Sequence, residues 1–141
     1  MVKLSAKTDY ALRAMIDLAQ HPGERTTLPA IAERQGIPRK FLPTVLQSLI
    51  QAGFVRTIRG YGGGVELSCD PGTLSLRHLI ESMEGLQHLH GCENRADECV
   101  YHHACRLRDV LEEAGVAMLA VLERTTLADL LPEVKTPAGM V

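Results

Sequence analysis

Thr26-Thr27-Leu28-Pro29-Ala30-Ile31-Ala32-Glu33-Arg34-Gln35-Gly36-Ile37-Pro38 is the stretch that decides the fold. It reads as a capped short helix that stops at Gly36, with the small Ala32 facing the turn. A second helix follows from Arg39 to about Gln51. Phe41, Leu42, Val45, Leu46, Leu49 and Ile50 recur at helical spacing and form its buried side, and Gly53 closes it. Two short helices hinged at a glycine are a helix-turn-helix arrangement, a pattern that other helical hairpins share. Pro43 sits against this reading. Inside a helix begun at Arg39 it would remove the bond to the Arg39 carbonyl and kink the first turn.

Working outward, Phe54-Val55-Arg56-Thr57-Ile58 is a short β-rich run. Arg59-Gly60-Tyr61-Gly62-Gly63-Gly64 is a turn, and Val65-Glu66-Leu67 returns, so a hairpin follows the helix-turn-helix as a wing. The glycines allow positive φ and a close approach of backbone to a surface; otherwise they are a plain flexible turn. Arg59 at the tip suits a DNA minor groove, or else is a solvated charge. No Lys-Ser/Thr follows the glycines, which excludes a phosphate-cradling P-loop. Upstream, Ala11, Leu12, Met15, Ile16, Leu18 and Ala19 mark a first helix, from Ser5 or Thr8 as N-cap to Gln20, with Asp9 near its front. Downstream, Ser75–Met83 forms a helix ended by Gly85, with Cys69 before it as a packing thiol and His78 as a surface residue. Leu107 to about Arg124 is a long helix, apolar on every side from Val116 to Leu122. Such a helix needs a second copy of the chain, or its own subunit, to cover it. A short helix with a Thr126-x-x-Asp129 cap follows.

Between these last helices lies Gly91-Cys92-Glu93-Asn94-Arg95-Ala96-Asp97-Glu98-Cys99-Val100-Tyr101-His102-His103-Ala104-Cys105, which holds three of the four cysteines at C-x6-C-x5-C spacing. Three thiolates in one polar loop can converge on a single centre, and three cannot pair off completely as disulfides. Iron–sulfur clusters and zinc both use such sets. The absence of a C-x2-C knuckle leans towards a cluster. Three incidental buried thiols are the plain alternative, and a thiol–imidazole pair of Cys99 or Cys105 with His102 or His103 is the enzymatic one.

The 141 residues suit one domain with an extension, and 45% are hydrophobic. No apolar run reaches membrane-spanning length and no signal-peptide pattern opens the chain. A cytoplasmic location with reduced thiols is therefore expected. The net charge is −2, yet residues 1–64 carry +5 and residues 65–141 carry −7. A basic front half suits phosphates even though the whole chain is acidic.

Taken in order, several segments resemble the Rrf-type bacterial transcription regulators, the family of the IscR, NsrR and RirA groups. They are Lys7-Thr8-Asp9-Tyr10-Ala11-Leu12-Arg13, Ile31–Ile37, Arg59-Gly60-x-Gly62-Gly63-Gly64, the three cysteines, Cys105-Arg106-Leu107 and Thr126-Leu127-Ala128-Asp129-Leu130. The likeness spans nearly the whole chain and looks most like NsrR-type members. It implies a mainly α fold with a small β wing (α+β): a winged helix-turn-helix domain at 1–85, a cluster-binding loop at 86–106, a dimerisation helix and short C-terminal helix at 107–131, and a flexible tail at 132–141. It further implies a homodimer, probing a palindromic operator in double-stranded promoter DNA, that acts as a repressor and has no membrane partner. An iron–sulfur cluster (4Fe-4S or 2Fe-2S) on Cys92, Cys99 and Cys105 would control that binding in response to nitric oxide, iron or redox state. For the fourth ligand, IscR-like members place a histidine three residues after the last cysteine, where Arg108 stands here and cannot serve. NsrR-like members use an aspartate at the start of helix one, which corresponds to Asp9 of the partner subunit; His90, His102 and His103 are substitutes. In the DNA complex, Arg39, Lys40 and Thr44 are expected at the leading end of the recognition helix in the major groove. Arg59, Gly60, Tyr61, Gly62 and Gly63 are expected at the wing. A cluster-free thiol- or zinc-based regulator of the same fold is the alternative.

Overall fold

The computed structural model describes residues 3–85, 99–101 and 104–132. The order of elements is α1 (Ala6–Gln20), α2 (Leu28–Gln35), α3 (Leu42–Gln51), β1 (Val55–Ile58), β2 (Gly64–Leu67), α4 (Leu76–Glu84) and α5 (Arg106–Arg124), then a 3-10 turn at Ala128–Leu130. The fold is mainly α with a two-stranded wing.

Helix starts follow their caps. The hydroxyls of Ser5, Thr27 and Ser75 accept the N–H of Thr8, Ala30 and His78, satisfying amides that have no partner inside the helix. Gly36 ends α2 at φ 63°, and its left-handed backbone makes the turn into the next helix. That helix begins at Leu42, three residues later than the spacing suggested. The physical reason is Pro43. In the first turn of α3 its missing N–H costs nothing, whereas a start at Arg39 would place it in the interior. Arg39, Lys40 and Phe41 form the preceding turn. Leu42, Val45, Leu46 and Leu49 are buried as expected, but Phe41 and Ile50 are exposed.

α1 runs through the centre. Ala11, Ala14, Met15 and Leu18 meet Ile31 of α2, Leu42, Val45 and Leu49 of α3, and Leu79 of α4 in one core. Each fully buried large apolar side chain here contributes about 1.5–3 kcal/mol relative to leaving it in water. One polar group belongs to this interior. The Asp17 carboxylate, 1% exposed, accepts from Arg34 Nε at 2.9 Å, Arg34 Nη2 at 2.8 Å and Gln35 Nε2 at 3.1 Å, and so ties α1 to α2. Burial pushes this carboxyl up. The hydrogen bonds and charge of Arg34, with Gln35, outweigh burial and hold it below the ordinary carboxylate value.

The strands pair antiparallel, Val55 opposite Leu67 and Ile58 opposite Gly64, with Arg56 and Glu66 ion-paired across the ladder. Thr26 adds a separate antiparallel bridge to β2 by exchanging both backbone bonds with Val65, at 2.9 and 2.8 Å. At the other end of the chain, residues after α5 return to the head. Leu76 N–H donates to the Thr125 carbonyl at 2.7 Å, Leu127 N–H donates to the Leu74 carbonyl at 2.9 Å, and Leu127 lies in the main core. Thr126 and Asp129 cap each other reciprocally, as their spacing suggested.

α5 stands apart energetically. It packs alongside α4, yet none of its nineteen residues is buried. Leu107, Val110, Val116 and Val121 are 45–68% exposed. Among the described residues, α4 covers α5 only in part: Leu111, Met118, Leu119 and Leu122 are half-buried. No helix among the described residues is long and apolar enough to cross a membrane.

Candidate nucleic-acid interface and thiol site

The residues expected to meet DNA sit on two neighbouring projections. Arg39 and Lys40 are exposed in the turn between the two helices of the motif, and Thr44 is exposed in the first turn of α3. Lys40 extends over its neighbour, its Nζ 4.9 Å from the centre of the Phe41 ring. The wing carries the others. Arg59 and Gly60 are exposed, Tyr61 is wholly exposed, and the tip is closed by Gly63 N–H donating to the Gly60 carbonyl at 2.9 Å.

The wing glycines are not a plain flexible turn. Gly60 and Gly62 have φ of 103° and 75°, which disfavour any side chain. At Gly63 a Cβ would lie 2.4 Å from the Ile58 carbonyl oxygen, and at Gly64 one would lie 2.6 Å from that of Thr26. Two glycines are thus set by backbone conformation and two by backbone proximity. The resulting tip presents Arg59 and the exposed Tyr61, residues that suit a groove of duplex DNA.

The expected sulfur ligands divide. Cys99 and Cys105 are free thiols, exposed and half-buried respectively. Cys92 lies outside the described residues, as do His90, His102 and His103. Cys105 is the N-cap of α5, and its Sγ accepts the Arg108 N–H at 3.4 Å. Among the described residues no three His, Cys, Asp or Glu side chains converge within one chain. Cys69 is a packing thiol, as expected. Its Sγ lies 3.6 Å from the Phe54 carbonyl, and burial, with the Asp70 charge beside it, pushes its pKa up. His78 is exposed but is edge-on to the Phe54 ring at 5.3 Å.

Asp9 lies far along the chain from those thiols. It is in the front of α1, half-exposed, with its Oδ2 2.6 Å from Arg13 Nη2. The other guanidinium nitrogen of Arg13 donates to the Gln35 carbonyl at 3.3 Å, at the end of α2. Sequence reading did not assign Arg13 or Asp17 any role. The i,i+4 spacing of Asp9 and Arg13 was an available signal, whereas nothing in the sequence pairs Asp17 with Arg34.

A winged helix-turn-helix head with a basic leading edge, followed by a thiol-bearing segment and a long uncovered helix, has the build of a DNA-binding transcriptional regulator. The chain matches the Rrf2 family, described as iron-dependent transcriptional regulators, over residues 4–133, and it belongs to that family. Its relatives include the HTH-type transcriptional regulator NsrR of Bacillus subtilis (strain 168), 39% identical over 132 residues that cover 92% of this chain and 90% of that protein. Among solved structures, T. potens IscR is similar at a TM-score of 0.75 and 31% identity, over 99% of this chain and 93% of that one. CymR, the global cysteine regulator of B. subtilis, is similar at a TM-score of 0.68 and 32% identity, over 92% and 96%. These relatives are transcriptional regulators and not enzymes, and this chain is likewise a transcriptional regulator.

Proposed function

We propose that the chain is a cytoplasmic, homodimeric repressor whose grip on a palindromic operator depends on an iron–sulfur cluster. Cys92, Cys99 and Cys105 would hold the cluster, with Asp9 of the partner subunit as fourth ligand. The observation that carries this reading is the extent of the family match. Residues 4–133 take in the cysteine segment as well as the winged helix, and the family is described as iron-dependent. The uncovered apolar stripe of α5 supports pairing with a second copy. Two copies related by a dyad read half-sites about one helical turn apart. Arg39, Lys40 and Thr44 then face the major groove and Arg59–Gly63 the minor groove.

The chain's own residues suggest how a sensing event reaches the DNA. As a ligand, the Asp9 carboxylate would share its charge between iron and Arg13, and Arg13 also holds the carboxyl end of α2 through Gln35. Without a cluster, Asp9 pairs with Arg13 alone, as it does here. The two arrangements would differ in how firmly Arg13 holds the end of α2, just before the reading edge. A difference of a few kcal/mol between them is enough to switch operator affinity. When bound, the cluster supplies an iron site reactive towards nitric oxide and oxygen and sensitive to iron supply.

Oxygen-free purification tests the cofactor: iron with acid-labile sulfide is expected, and a colourless zinc-containing or metal-free protein overturns the cluster in favour of a thiol- or zinc-based regulator of the same fold. A gel shift then compares the anaerobic holo-protein, the same protein after nitric oxide, and the apo-protein. Equal operator affinity in all three overturns the switch.

A further inference from the structure

Beside the recognition helix lies a cleft of about 290 Å³ between the first turns of α1 and α3, lined by Ala6, Lys7, Tyr10, Phe41, Thr44 and Val45. Its walls are organised. The Tyr10 and Phe41 rings stack with centres 6.1 Å apart and planes 21° from parallel. Lys40 lies against Phe41, and the Arg13 guanidinium carbon is 5.6 Å from the centre of the Tyr10 ring. Phe41 nonetheless stays 45% exposed. Among the described residues neither Lys7 nor Lys40 has a carboxylate partner, and both are exposed. Thr44 belongs both to this cleft and to the edge of α3 expected to meet base pairs, so the cleft is continuous with the DNA-facing surface.

We propose that α1 is a third DNA-contacting element and that this cleft seats one backbone phosphate, with its deoxyribose, next to the bases approached by α3. Lys7 supplies the charge, the Tyr10 phenol supplies a neutral donor, and the exposed Phe41 ring supplies an apolar wall for the sugar. Phosphate contacts of this kind fix register and carry no sequence information of their own. Positive charge that is unpaired in the free protein matches a polyanion, and releasing condensed counterions drives the contact. The proposal rests on the reading of this face as the DNA-binding one.

The test uses full-length protein and a duplex selected with it from a random library, alongside a scrambled duplex of the same length. Affinities for both are measured by fluorescence anisotropy between roughly 50 and 200 mM salt. Lys7→Gln is expected to weaken both duplexes by the same factor. It should also reduce the slope of log affinity against log salt by roughly one per bound subunit. Tyr10→Phe, which keeps the ring stack, is expected to weaken both duplexes without altering the slope. A Lys7→Gln protein with the wild-type slope overturns the phosphate seat, as does one that loses only the selected duplex. The second pattern would mean that Lys7 acts in base readout. Failure of the wild-type protein to prefer the selected duplex over the scrambled one is a different result, and it removes the DNA-binding reading itself.

Discussion

Removing either end of the Asp17–Arg34 pair should have unequal consequences, because the two ends differ in their access to water. The Asp17 side chain is 1% exposed and that of Arg34 is 41% exposed. In Asp17→Ala the guanidinium turns to solvent, so the loss is confined to the hydrogen bonds, about 2 kcal/mol. In Arg34→Ala a carboxylate stays inside the protein with Gln35 as its remaining donor. The cost then approaches that of breaking a buried pair, about 3–4 kcal/mol. For a chain of this size, 1 kcal/mol lowers the melting temperature by about 3–4 °C. Urea unfolding at fixed protein concentration gives the free energies, provided the slope with denaturant is unchanged. Acid narrows the difference. In the wild type, Asp17 lies below its ordinary value, so its contribution is complete above about pH 5 and is lost as pH falls through the folded-state value. In Arg34→Ala, burial acts unopposed by the guanidinium and pushes the carboxyl up. The variant therefore recovers relative stability as the pH drops and the group takes a proton. An Asp17→Ala protein less stable than Arg34→Ala at neutral pH would refute this accounting, as would two variants within 0.5 kcal/mol of wild type.

Other outcomes follow from the same kind of reading. Gly64→Ala places a methyl group against the Thr26 carbonyl and should cost about 1–3 kcal/mol, with faster hydrogen exchange at the Thr26 and Val65 amides that bond each other; unchanged exchange there would show that the backbone yields. Val116→Glu, at a 68% exposed position on α5, should leave the circular dichroism spectrum intact while sedimentation shifts from dimer to monomer. A dimeric variant would place the interface elsewhere. Glu84 at the end of α4 accepts from the Ser5 backbone, and hydrogen bonds from Ser5 and Thr8 hold its carboxyl below the usual value. Glu84→Ala should therefore speed exchange at the front of α1. In the wild type that protection should be complete above the ordinary glutamate range and fade as pH falls below it, and a pH-independent result would remove the role given to Glu84.

Much of the head was legible because its signals are local. Thr27 and Gly36 bracket one helix within ten residues, and the alternation around a glycine-rich turn marks the wing without reference to anything distant. The start of α3 was misplaced because apolar spacing alone extends the helix back to Arg39, while the position Pro43 tolerates is decided by backbone geometry. Phe41 and Ile50 fit the helical stripe yet lie outside the core, since periodicity gives a face but not how far the neighbouring elements cover it. The Asp17–Arg34 pair and the Tyr10–Phe41 stack were invisible for another reason: each joins residues 17 or more positions apart, and a single sequence holds no record of which distant side chains meet. Two of the three expected thiols have described positions. The partnership of Asp9 with Arg13, which bears on its availability as a ligand, emerged only from the folded chain.

The sulfur of Cys105 answers to two demands at once. It receives the Arg108 amide at the head of α5, and it is one of the atoms proposed to hold iron. An alkyl group or an oxygen added to that sulfur competes for the same electron pairs, so modification of the thiol should loosen the opening turn of α5 whether or not iron is bound. Amide exchange at Arg108 after mild alkylation should rise ahead of exchange in the rest of α5; uniform or unchanged exchange would mean the two duties are independent.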